Sequence, residues 1–136
     1  MNAQNAHSIL IVDDEKYVLR SLQRSLIDEG YNVLTAPNGV DGLKVLEKEK
    51  VALVIADFRM PMMDGIEFLQ KVKERWQETI RIMLTAYSDI SVVVQAINKG
   101  EVYRFISKPW KSEELSTIIR GGIAFYDLIQ ENKRLT

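Results

Sequence analysis

Apolar positions along this chain switch repeatedly between a compact run and a helical stripe. Ser8 to Val12 reads SILIV, and after it Tyr17, Val18, Leu19, Leu22, Leu26 and Ile27 recur at helical spacing until Gly30. That pattern predicts a strand followed by a helix. YNVLTA (Tyr31 to Ala36) predicts a second strand, closed by Pro37-Asn38-Gly39, and Val40, Leu43, Val45 and Leu46 mark a second short helix. VALVIA (Val51 to Ala56) is apolar throughout, as a strand covered on both faces requires. A third helix opens at Asp64 and carries Ile66, Phe68, Leu69, Val72 and Trp76. IRIML gives a fourth strand. The helix after it begins near Ser88 or Asp89, places Ile90, Val93, Val94 and Ile97 on its apolar side and ends at Lys99-Gly100. VYRFIS gives a fifth strand, and Ser112 to about Arg134 a last helix with a Ser cap and two acids in its first turn.

Five strands alternating with five helices imply an α/β fold, a parallel sheet covered on both faces by right-handed crossovers. Ligands of such sheets bind outside the carboxyl ends of the strands, so candidate chemistry is sought there.

Composition narrows the choices. The 136 residues fit one domain. Lys plus Arg total 18 against 19 Asp plus Glu, a formal charge of -1, so no global charge draws the chain to nucleic acid or an acidic membrane. The absence of cysteine excludes disulfides, thiolate metal sites and Cys nucleophiles. The start, MNAQNAHS, has no signal-peptide pattern, and no apolar run approaches the ~20 residues that span a bilayer. A soluble cytoplasmic protein is expected. His7, alone in a polar tail, is given no role.

The strand ends carry the chemistry. The first strand ends VDDE, placing Asp13 and Asp14 at its carboxyl edge, and the third runs straight into Asp57. If those strands are neighbours, three carboxylates converge, and such a set calls for a hard cation such as Mg²⁺. The acids also suit simple capping of the following helices, and for the Asp pair alone both readings stand. The fourth strand ends at Thr85 and the fifth at Lys108. A single strand threonine or surface lysine is ordinary structure. Together, two acids, an acid, a hydroxyl and an ammonium at one edge are the parts that phosphoryl transfer to an aspartate needs.

These residues carry a family resemblance. ILIVDDE, DFRMPMMDG, MLTAYSD and FISKPW resemble, in order, the receiver domain of bacterial two-component response regulators, from Ser8 to about Ile129. The resemblance implies a flavodoxin-like fold with strand order 2-1-3-4-5. It makes Asp57 the phosphoacceptor, and Asp13, Asp14, Asp57 and the Arg59 backbone carbonyl the ligands of Mg²⁺ or Mn²⁺. Thr85 becomes the switch hydroxyl, Lys108 the phosphate-contacting lysine, and the Lys108-Pro109 bond a cis peptide. Phe105 becomes the aromatic switch, although a plain core aromatic reads nearly as well. Tyr103, taken to face the same side by the strand period of two, is a second candidate. Arg59 and Tyr87 match positions that set dephosphorylation rate. The protein so implied is a regulatory phosphoacceptor, not an enzyme beyond its own phosphoryl transfer and dephosphorylation. Its partners are a sensor histidine kinase and an output domain or partner protein, reached through the surface of the fourth helix, fifth strand and fifth helix.

In the last helix Leu115, Ile119, Gly122, Tyr126, Ile129 and Lys133 alternate steps of four and three. A dimerising seam and simple packing on the sheet are both compatible with this. The expected organisation is a tail over 1–7, a receiver over 8–129, and the start of a linker helix over 130–136. GEVYRFISKPW also resembles receivers coupled to HD-type phosphodiesterase domains or hydrogenase-type transcriptional activators. A haloacid-dehalogenase-like phosphatase is the enzyme alternative, but its first strand should carry DxD, and VDDE does not.

Overall fold

A computed structural model of the chain describes residues 6–99 and 101–135. Residues 1–5 of the expected tail, Gly100 at the expected end of the fourth helix, and Thr136 lie outside the described residues. The order is β1 (Ser8–Val12), α1 (Lys16–Asp28), β2 (Asn32–Ala36), α2 (Gly39–Lys48), β3 (Leu53–Asp57), α3 (Gly65–Arg75), β4 (Ile80–Ala86), a 3₁₀ turn (Tyr87–Asp89), α4 (Ile90–Asn98), β5 (Arg104–Lys108) and α5 (Ser112–Leu135). All strands are parallel, in the order β2-β1-β3-β4-β5, the flavodoxin-like arrangement.

Side-chain alternation divides the core. Ile9, Ile11, Leu53, Ile55, Ile82 and Leu84 face α1 and α5, while Leu10, Val12, Val54, Ala56 and Met83 face α2, α3 and α4. Every residue of β3 is buried, which explains its unbroken run of apolar residues. Full burial of one Leu, Ile or Phe side chain contributes roughly 1.5–3 kcal/mol, so this sheet anchors whatever its edge carries.

Local sequence sets the helix starts. The Asn38 side chain accepts from the Asp41 N–H and Asp64 from Glu67 N–H, capping α2 and α3. Ser112 is already within α5, whose first turn is closed by the Leu115 N–H to the Lys111 carbonyl, so Ser112 is not its cap.

Several expected core positions lie outside. Val18, Leu22 and Leu26 form the buried stripe of α1, whereas Tyr17 and Ile27 are exposed. Val40 and Val94 are exposed likewise. Residues in steps of four share a stripe, and immediate neighbours turn away from it.

In α5 the alternating stripe packs on the chain's own sheet. Leu115, Ile119 and Tyr126 enter the core, and a Cβ on Gly122 would stand 2.7 Å from Leu53 Cδ1. Lys133 pairs with Glu78 at 3.0 Å. That stripe is therefore occupied within the chain and is not a free seam. His7 also has contacts: its Nε2 lies 2.8 Å from Asp127 Oδ1, and its ring meets Tyr126 edge-on.

Candidate functional site

Strand register alone brings the polar ends together. Val12 pairs with Ala56, so the next residues, Asp13 and Asp57, leave the sheet side by side. Asp57 pairs with Leu84, Thr85 with Ser107 and Ala86 with Lys108. Each functional group thus stands one or two steps beyond a buried aliphatic, at the edge where the strands end.

Asp13, Asp14 and Asp57 offer oxygens that all lie within 4.8 Å of one another. Asp13 is completely buried and Asp57 nearly so, while Asp14 is exposed. Lys108 Nζ reaches 2.8 Å from Asp57 Oδ1, 3.6 Å from Asp13 Oδ2 and 3.5 Å from Glu15 Oε1. Asp13 Oδ1 accepts from the Glu15 N–H at 2.9 Å, but Asp13 Oδ2 has no hydrogen bond, the ammonium being too distant for one. A buried carboxylate oxygen without a donor is costly unless a cation meets it. The set is all oxygen and lacks sulfur or imidazole, so the residues present fit Mg²⁺ or Mn²⁺.

The electrostatics agree. Burial pushes the Asp13 carboxyl up to about 6; the Glu15 N–H opposes that, and the Asp57 charge adds to it. Burial raises Asp57 too, against the hydrogen bond and charge of Lys108, which lower it. Burial alone would lower the Lys108 ammonium, but the Asp57 hydrogen bond and the Asp57, Asp13 and Glu15 charges carry it above its ordinary value. Three acids and one lysine leave net negative charge at the site.

The flanking loop is built for closeness. Gly65 donates its N–H to the Phe58 carbonyl, and a Cβ there would fall 2.4 Å from the Asp57 carbonyl oxygen, so a side chain at this turn into α3 would force the backbone to shift. Met62, nearly fully exposed, takes φ 73 at the tip of the loop. The Lys108-Pro109 peptide is cis.

The remaining candidates distribute unevenly. Thr85 is fully buried, and its hydroxyl donates to the Ala86 carbonyl at 3.3 Å. Phe105, in register with Met83, packs on the α4 side of the sheet, and Thr85 follows Met83 on that side by the period of two. Tyr103 does not share that face: its ring stacks on Phe125 of α5 at 5.5 Å. The strand begins only at Arg104, so the alternation never reaches Tyr103. Tyr87 is 82% exposed. The Arg59 guanidinium donates through Nε and Nη2 to both oxygens of Asp89, at 2.9 and 2.8 Å. Asp89 was legible in the sequence only as a helix start, and Glu15 only as part of VDDE; their contacts depend on the fold.

Comparison with known proteins gives one family. Residues 9–120 match the response regulator receiver domain. The chain is 34% identical over 128 residues to the hydrogenase transcriptional regulatory protein HoxA of Cupriavidus necator, covering 94% of this chain and 26% of HoxA. It is 40% identical over 123 residues to the transcriptional regulatory protein GlrR of Escherichia coli, covering 90% and 27%. Among solved structures, the signal receiver domain of an HD domain-containing protein from Pseudomonas fluorescens aligns with TM-score 0.87 and 33% identity, over 93% of each chain. The chain spans about a quarter of the length of these curated relatives.

Proposed function

The chain belongs to the response regulator receiver domain family, and from that premise we propose that it is the phosphoacceptor switch of a two-component pathway, modified on Asp57 by a sensor histidine kinase. The observation that carries this reading is the pairing of Lys108 Nζ with Asp57 Oδ1 beside the donorless Asp13 Oδ2.

An Asp57 oxygen attacks the phosphorus of a phosphohistidine, a P–O bond forms, and the P–N bond breaks to release the imidazole. Lys108 contacts the transferred oxygens, and burial by the sheet fixes the nucleophile. Asp13, Asp14, Asp57 and the Arg59 backbone carbonyl would hold Mg²⁺ or Mn²⁺, which when bound neutralises the crowded carboxylates and the phosphoryl oxygens. No step beyond this self-modification and its hydrolysis is assigned, in keeping with a regulatory rather than an enzymatic family.

The modification adds roughly -1.5 to -2 charges at Asp57. To donate to the new oxygens, Thr85 must give up the Ala86 carbonyl and move inward, which opens space on the α4 side of the sheet. Phe105 occupies that side, which favours it over Tyr103 as the aromatic that turns. The α4, β5 and α5 surface then changes and acts as the output, in the cytoplasm.

Residues 8–129 form the receiver and 130–136 start a linker to an output domain or partner. Support comes from the matched relatives, of which this chain spans only 26–27%. Homodimerisation belongs to the α4-β5-α5 surface or to the outward face of α5. No helix among the described residues is long and apolar enough to cross a membrane.

Fluorine NMR with beryllofluoride and Mg²⁺ tests the reading. A bound resonance in the wild type that disappears in Asp57→Asn is expected; no bound resonance, or one that survives in Asp57→Asn, overturns it.

A further inference from the structure

Asp89 holds an unusual position. It is the N-cap residue of α4, and Asp is among the side chains best suited to satisfy the free N–H groups of a first turn. Its side chain makes no capping hydrogen bond. Both carboxylate oxygens are instead turned to Arg59, in the loop that follows Asp57.

The two partners differ in how easily they can leave. The Arg59 side chain is 75% exposed, but that of Asp89 only 7%. The guanidinium can withdraw into water at little cost, whereas a shielded carboxylate left without a donor is costly. Asp89 has another set of donors at hand, because the N–H groups of Ser91 and Val92 occupy the second and third positions of α4. Asp89 also ends the 3₁₀ turn that starts two residues after Thr85, in the segment that must move if Thr85 moves.

We propose that Asp89 is a two-position carboxylate, a positioning residue latched by Arg59 while Asp57 is unmodified and freed to cap α4 when negative charge on Asp57 draws Arg59 away. The proposal rests on Asp57 as acceptor for its trigger, though not for the latch itself. Arg59 is two residues from Asp57, and a phosphoryl group of roughly -1.5 to -2 charges with three acceptor oxygens competes well against one carboxylate for a guanidinium. Release would extend α4 order toward Thr85 and change the Val92 and Val94 surface, which is already exposed. This coupling acts on the same segment that Thr85 would move, through a different contact.

Amide hydrogen exchange by NMR on the whole chain tests both parts. In the unmodified protein Arg59→Ala should slow exchange of the Ser91 or Val92 amide by about fivefold, the worth of one cap. Adding Asp89→Ala to Arg59→Ala should abolish that slowing. Beryllofluoride should slow the same amide in wild type but not in Asp89→Ala, with fluorine NMR confirming that Asp57 is loaded in both. Unchanged or faster exchange in Arg59→Ala, or slowing that persists without Asp89, overturns the latch. Equal slowing by beryllofluoride with and without Asp89 overturns the trigger. Failure of beryllofluoride to load would contradict the acceptor reading and with it the trigger, while the Arg59→Ala comparison still decides the latch.

Discussion

Lys108 Nζ stands 2.8 Å from Asp57 Oδ1, although the two residues are fifty-one positions apart and share no strand pairing. The Lys108 side chain is only 23% exposed, and its ammonium lies among Asp57, Asp13 and Glu15. Its removal should therefore be felt first as a titration. In Lys108→Ala the Asp57 carboxyl should titrate at higher pH than in wild type, because Lys108 is what opposes the effect of burial. Carbon NMR of the Asp57 carboxyl checks this, and an unchanged or lower midpoint would contradict it.

Asp13 sets a pH dependence for the metal-free protein. Its folded carboxyl titrates at about 6, above the unfolded value of 3.8, so the folded state holds the extra proton between the two. Stability should fall as pH rises from about 4 to 6, reaching its full loss above that window. Asp13→Asn should remove much of this slope and stabilise the metal-free protein at pH 7 by up to about 3 kcal/mol. Urea denaturation across the window measures it. Mg²⁺ should stabilise the wild type and do little for Asp13→Asn.

Gly65 is predicted to be intolerant. Its added Cβ would meet the Asp57 carbonyl oxygen and lie 2.9 Å from Phe58 Cα, both backbone atoms that cannot swing aside. Gly65→Ala should cost about 1–3 kcal/mol by denaturation and shift the backbone that carries Asp57. Stability within a few tenths of a kcal/mol of wild type would show that the loop yields.

Arg59 and Tyr87, two residues beyond Asp57 and Thr85 in the sequence, are both largely exposed. If they screen the phosphoryl group from water, the double variant Arg59→Ala, Tyr87→Ala should lose it faster than wild type. A half-life equal to or longer than wild type, followed by release of inorganic phosphate, would contradict that role.

Much of this arrangement is legible in the amino-acid sequence, for physical reasons. SILIV, VALVIA and IRIML are runs that only a doubly covered sheet buries, and acids, a hydroxyl and an ammonium at their ends have nowhere to stand but the carboxyl edge. What escaped depends on geometry finer than period. Tyr17, Ile27, Val40 and Val94 are apolar neighbours of buried residues, and a stripe cannot say which adjacent side chain turns outward. The alternating stripe in α5 fits a partner helix and a sheet equally well until Gly122 is seen against Leu53. Tyr103 turns toward α5 because it precedes the strand, where the period of two does not hold. The fork between Arg59 and Asp89 spans thirty residues and two loops, and no local pattern announces it.

The central claim is that Asp57 accepts a phosphoryl group. Intact-protein mass after incubation with acetyl phosphate and Mg²⁺ tests it most directly, with Asp57→Asn alongside. The account predicts a gain of one phosphoryl group in the wild type and none in Asp57→Asn. No gain in the wild type, or an equal gain in both, would contradict it.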